Sequence, residues 1–224
     1  MKKEKKAVTG NGDEREKARE LTPAEQRRQQ AFEALSESML AQGYRRVELT
    51  VSIVKANVFA IVLLIPLLVV GLGLFFLKNR QGGVGFEKPA TMLLFVLVFA
   101  ALIVVHELIH GLSWAIFAEH HWKDIEFGFM KQYLTPYCAC GVPLSKGQYI
   151  FGALTPLLLL GILPMIVGIA IGSMPLLLLG VIAADAAAGD ILIVWKILRY
   201  RSASDDVVYI DHPTQAGGVI FEKE

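Results

Sequence analysis

The sequence predicts an all-α membrane protein of about four transmembrane helices, with a short strand-like cytoplasmic loop and an N-terminal amphipathic helix. Three observations carry this. Of 224 residues, 54% are hydrophobic and 19% charged, against about 45–50% and about 25% in soluble domains, and the mean hydropathy is +0.49. The charge is gathered at one end, residues 1–50 holding 20 of the 43 charged side chains. The remainder contains four apolar stretches, 58–77, 90–118, 149–172 and 174–198, each long enough to cross a hydrocarbon core, which takes about 20 residues. Together these exclude an ordinary soluble domain, a fibrous chain and a wholly disordered one. A formal net charge of +1 gives no reason to expect nucleic acid as a partner. Cys138 and Cys140, the only cysteines, cannot form a disulfide framework.

Residues 1–20 are charged and interrupted by Gly10-Asn11-Gly12, the composition of a disordered tail. Thr22-Pro23-Ala24-Glu25 then has the form of a capping box with proline in the first turn. Ala31, Phe32, Leu35, Met39 and Leu40 follow at helical spacing, and Gly43 supplies a stop. Residues 23–41 are therefore expected as an amphipathic helix, either lying on a membrane surface or packed on its own protein. Residues 44–54 favour an extended segment, so 21–54 forms one cytoplasmic unit. The four-span membrane domain occupies 55–201. Its prolines, Pro66, Pro156 and Pro164, are of a kind that membrane helices tolerate, and Pro156 is placed to kink the third span. Between the second and third spans, 119–148 carries IEFGF and then Gly and Pro within Tyr133 to Val142, a pattern of short strands and turns. Residues 202–224 form a short cytoplasmic tail, extended in part at VVYI.

Orientation follows from lysine and arginine in the short loops. With the N-terminus inside, nine such residues fall on the cytoplasmic side and three, Lys78, Arg80 and Lys88, on the other. The expected placement is a multi-pass protein of the cell membrane with both termini cytoplasmic and the lipid bilayer as its surroundings. The sequence carries no signal of an oligomeric state.

The second span contains His106-Glu107-Leu108-Ile109-His110. On a helix, positions i and i+4 share a face, so both imidazoles can hold one metal ion, and Zn2+ suits them. Glu107 stands beside them, where it could take a proton from a metal-held water. Ionisable groups inside an apolar span are costly and mark function by default. A hydrolytic zinc site usually has three protein ligands, so a third must come from elsewhere. The fourth span offers Asp185 and Asp190. Asp190 and His110 each lie eight residues from the cytoplasmic end of their spans. Asp185 lies about a turn deeper, near the level of His106, so depth leaves both candidates open. Five residues apart on a helix, they point about 140° from one another. Glu119 and Glu126 would need a folded-back loop. Cys138 and Cys140 read as loop residues, and His120 and His121 as interfacial ones.

HELIHG within a membrane span, EFGF after it, ALTPLLL in the third span and AAAGDI in the last together resemble the bacterial putative zincin peptidase family, membrane proteins similar in plan to site-2-type intramembrane metalloproteases. The resemblance covers roughly residues 44–210. It implies His106 and His110 as zinc ligands, Glu107 as catalytic base and Asp190, which follows Gly189, as third ligand. The site-2 enzymes commonly carry the order Asp-Gly, where this chain has Gly-Asp. The expected activity is that of an integral membrane zinc metalloprotease, a hydrolase cutting a membrane protein or peptide in or near the membrane. The loop 119–148 would present the substrate by strand addition. A non-catalytic membrane protein with a structural metal site, or one that binds a segment without cutting it, is the alternative. A metal transporter ranks below both, because the spans carry few other ionisable groups.

Overall fold

The computed structural model describes residues 21–80, 82–130 and 135–224. The tail expected at 1–20 lies outside them, as does the stretch 131–134 of the central loop. The first element is helix α1 (Pro23–Ala41), entered through the capping box: the Thr22 hydroxyl accepts from the Glu25 N–H and the Glu25 carboxylate accepts from the Thr22 N–H. Strand β1 (Tyr44–Thr50) follows Gly43, whose φ of +84° suits the turn. Four apolar helical segments come next: α2 (Ile53–Lys78), α3 (Pro89–Ala115), the run Lys146–Ile171, and the pair α6 (Met174–Ala186) and α7 (Ala188–Arg199). The third comprises α4 (Lys146–Pro156), a π-helical stretch Leu157–Ile162 and α5 (Leu163–Ile171). The first three are long and apolar enough to cross a membrane, and the bent pair makes a fourth if counted as one span.

The chain is mostly helical but not all-α. Between α3 and α4, strands β2 (Ile125–Met130) and β3 (Thr135–Cys140) form an antiparallel hairpin. Strands β4 (Val207–Asp211) and β5 (Gly217–Lys223) join β1 in an antiparallel sheet of order β1-β5-β4. Both peripheral segments had shown extended character. That they pair with each other is a contact between residues as far apart as Tyr44 and Lys223, which no local pattern announces.

The central strand β5 is buried on both sides. Val219 and Phe221 pack with Phe32 and Met39 of α1, so the apolar face of α1 rests on its own protein. Ile220 points the other way, into a core shared with Trp114, Tyr149, Val194 and Tyr209. That core fuses the sheet to one end of the helices. At the opposite end, the links α2–α3 and α5–α6 meet: Val84 N–H donates to Gly172 O at 2.8 Å and Met174 N–H to Val84 O at 2.9 Å. Both sheets therefore lie at one end of the bundle and these two links at the other. Elsewhere the outer helix surface is apolar: Ile61, Val62, Ile65 and Val69 of α2, and Met92, Leu93, Leu94 and Leu97 of α3, are each more than half exposed.

Glycines set the closest helix contacts. A Cβ on Gly161 would lie 2.8 Å from Ala184 Cβ, and one on Gly168 would lie 2.5 Å from Leu177 N, the small-residue packing that lets apolar helices approach. The proline expected to bend the third segment ends α4, and the Leu163 N–H reaches back five residues to Leu158 O. The stretch 174–198, expected as continuous, is broken at Ala187 and bent by 48°.

Candidate metal centre

The HExxH segment lies in the last third of α3, so its two histidines fall one turn apart on a single face. His106 Nε2 and His110 Nε2 stand 3.1 Å apart. The break at Ala187 brings a third donor to them, because it makes Asp190 a first-turn residue of α7, where the positive end of the helix dipole favours a carboxylate. Asp190 Oδ2 lies 3.3 Å from His106 Nε2 and 3.4 Å from His110 Nε2.

The triangle fits a metal ion. A tetrahedral zinc with ligands at 2.0–2.1 Å requires about 3.3–3.4 Å between donor atoms, close to all three edges. The identity of one donor atom is fixed by its neighbour. His110 Nδ1 is 2.9 Å from Gly152 O, and a carbonyl can only accept, so Nδ1 carries the proton and Nε2 presents a lone pair to the cluster. The same ring stacks on Trp114 at 5.2 Å between centroids. Trp114 is held in turn by donating from Nε1 to Tyr149 O at 3.2 Å. Two nitrogens and a carboxylate oxygen converging this closely call for a cation or a proton among them. Among the described residues, the donors that come together in this way are these three.

The structure separates the two aspartates. Asp185 is outside the cluster, on α6, and its buried Oδ1 meets no hydrogen-bond donor among the described residues. Glu119 and Glu126 are also outside it. His120 pairs with Asp124 at 3.3 Å.

Glu107 lines the same cleft of about 230 Å³ as His106, His110 and Asp190. The backbone N–H of Cys138 on β3 is directed at its carboxylate. The register explains why. Gly141 N–H donates to Asp124 O at 2.8 Å, so the pairs 126–139 and 128–137 exchange the ladder bonds, while Pro136, Cys138 and Cys140 turn their backbone groups outward. Pro136 can occupy this strand because its missing N–H faces the open edge. Cys140 N–H is taken by Asp211 Oδ2 at 2.7 Å, and Asp211 Oδ1 accepts from the Tyr149 hydroxyl at 2.6 Å. Asp211 thus ties β4, β3 and α4 together beside the cleft. Its surroundings raise its pKa to about 6: burial pushes it up, and the bonds from Tyr149 and Cys140 only partly offset that. Burial also pushes the Cys140 thiol up to about 12 and the Cys138 thiol higher still, which leaves both as neutral thiols.

Sequence reasoning missed the residues that seat this arrangement. Gly111, directly after the motif, is where the hairpin docks on α3: a Cβ there would lie 2.6 Å from Phe127 Cζ and 2.9 Å from Ile125 Cγ2. Gly152 gives its carbonyl to His110 and its empty side to Trp114. A glycine one residue beyond HExxH was the available signal for the first; for the second there was none.

A profile of the family described as putative zincin peptidase matches residues 99–204. That span includes the HELIHG segment, the hairpin, α4 to α7 and Asp190, and it agrees with the family that these motifs resemble. No curated protein and no solved structure matches the chain.

Proposed function

We propose that this chain, with a zincin peptidase-like segment over 99–204, is an integral membrane zinc metalloprotease that hydrolyses peptide bonds in or near the bilayer. The triangle of His106, His110 and Asp190 with Glu107 beside it carries the reading. These three residues would hold the zinc. When bound, zinc supplies Lewis acidity, polarising a substrate carbonyl and acidifying water. Three donors from the protein leave a tetrahedral ion one further position, the pattern of catalytic rather than closed structural zinc. This favours an enzyme over a structural metal site.

Within the cleft, a Glu107 carboxylate oxygen accepts a proton from the attacking water and returns it to the leaving amine. His110 is held in the ligand tautomer by Gly152 O. The outward carbonyls of Pro136 and Cys138 offer an extended substrate segment acceptors along which to pair.

The fold supports the membrane reading by a parity argument. β1 precedes α2 and β4 follows α7, yet both flank β5 in one sheet, so the chain crosses an even number of times between them. Four crossings satisfy this if α6 and α7 form one bent span. Both sheets then share a side with the more numerous loop lysines and arginines, which makes that side cytoplasmic.

The test is metal content and cleavage by the purified full chain. About one zinc per chain is expected, retained in Glu107→Gln while hydrolysis of a membrane-segment substrate falls about 100-fold or more. A zinc-free protein after reconstitution, or an unimpaired Glu107→Gln, would overturn the reading.

A further inference from the structure

A second cavity, of about 250 Å³, opens where β1 runs into α2, away from the metal centre. Its walls are Ser52, Lys55 and Val51 at the start of α2 and Leu192, Trp195 and Lys196 near the end of α7. Ser52 is the N-cap of a 26-residue helix but makes no capping bond. It is only 8% exposed, and its hydroxyl has no partner among the described residues. The first N–H groups of α2 have no intrahelical acceptor; the first bond of this helix is Ala56 N–H to Ser52 O. Two lysines flank these donors, close enough for their charges to act on each other. Lys196 spends one of its donors on Thr50 O. Lys55 is exposed, and neither lysine has an ion pair among the described residues. Three kinds of donor thus converge beside the Thr50 carbonyl that Lys196 already uses: the Ser52 hydroxyl, the free backbone N–H groups of the first turn and two ammonium groups, with no carboxylate lining the cavity. A tetrahedral oxyanion is the ligand that such a set takes.

The surroundings specify its source. Trp195 is half exposed at the rim, with the Arg199 guanidinium 4.8 Å above its ring. On the same two helices, Val54 and Val58 of α2 and Leu198 of α7 are exposed apolar residues. A tryptophan with arginine at the end of an apolar helix is the chemistry of the headgroup level, and basic pockets between helices on the cytoplasmic side suit anionic headgroups. We infer that this cavity binds the phosphate of an anionic phospholipid, with Ser52, the α2 N-terminus, Lys55 and Lys196 as donors and Trp195 against the glycerol and upper acyl region. The inference rests on the membrane reading of the helices but not on zinc or proteolysis.

The experiment is native mass spectrometry of the full chain released from bilayers of phosphatidylcholine and phosphatidylglycerol, comparing wild type with Lys55→Gln and Ser52→Ala. Neither residue makes a side-chain bond that folding would miss. Wild type should retain phosphatidylglycerol in preference to phosphatidylcholine, and each variant should retain about five-fold less, with zinc content unchanged in all three. Addition of inorganic phosphate separates the sources. Failure to displace the lipid supports the headgroup; displacement at low concentration assigns the same donors to free phosphate and overturns the lipid. Equal retention by wild type and both variants, or no preference for the anionic lipid, overturns the site. Extraction of the chain from membranes by alkaline carbonate would overturn the membrane reading itself, and the site with it.

Discussion

Gly152 and Trp114 fit together because one of them has no side chain: a Cβ at 152 would lie 2.0 Å from the indole Nε1. That nitrogen and the Gly152 carbonyl bracket His110, one through ring stacking and the other through the bond to Nδ1. In Gly152→Ala the indole must move, and the His110 ring loses its support. Zinc affinity is expected to fall 10–100-fold, the usual effect of disturbing a ligand's outer partner. Competition against a chelator measures it. Unchanged affinity would mean that His110 is oriented by something else.

Gly111→Ala should separate metal binding from substrate handling. The added Cβ strikes Phe127 and Ile125 of the hairpin, while His110 and His106 point about 100° and about 140° away from it around the helix. Overpacking of this kind costs about 1–3 kcal/mol. The expected result is zinc retained near one per chain, faster hydrogen exchange over 125–130 and 135–140, and impaired cleavage. Loss of zinc in step with activity would contradict the independence of hairpin and cluster.

The two aspartates of the last bent pair should behave oppositely. Asp190→Ala is expected to lose the metal. Asp185→Asn should keep it and should be no less stable than wild type, because Oδ1 is buried without a donor among the described residues and a neutral amide is cheaper to enclose there. Metal analysis with thermal unfolding checks both. Zinc lost in Asp185→Asn would place that residue in the site.

Asp211 gives a pH dependence of defined sign. Its folded pKa of about 6 lies above the ordinary carboxylate value. The folded chain therefore binds a proton that the unfolded chain has already released. The favourable contribution is full below about pH 4 and is lost as the pH rises through 6, by at most about 3 kcal/mol. Asp211→Asn removes the titration. Its melting temperature relative to wild type should rise between pH 4.5 and 7, whatever constant offset the changed bonds to Tyr149 and Cys140 impose. A difference independent of pH would show that Asp211 is already ionised across that range.

Much of this was legible because the relevant signals are local. The capping box at Thr22 and Glu25 and the stop at Gly43 bracket α1 at 23–41, the same range in sequence and structure. The i, i+4 spacing of His106 and His110 puts their nitrogens in contact distance without help from the rest of the fold. The sheet was illegible because its order is set by pairing across the whole chain, and β5, with its Gly217-Gly218 start, reads as tail until β1 and β4 flank it. The break at Ala187 was illegible because three alanines there are good helix formers. Yet that break turns Asp190 to the histidines.

The sheet also constrains the order of events during synthesis. β5 is the central strand, and its last residue, Lys223, follows its partner Tyr44 by 179 residues. At ribosomal speeds that interval is on the order of ten seconds. Until β5 and the residues just before it arrive, Phe32 and Met39 of α1 lack the Val219 and Phe221 side chains they pack against, and Arg28 lacks the Pro213 carbonyl to which it donates beside the cleft in the finished fold. His106, His110 and Asp190, the candidate donors of α3 and α7, are all synthesised before β5, whose first residue, Gly217, lines the cleft. A metal ion that these donors hold would thus be able to reach them before β5 slots between β1 and β4 and completes the cleft wall at Gly217.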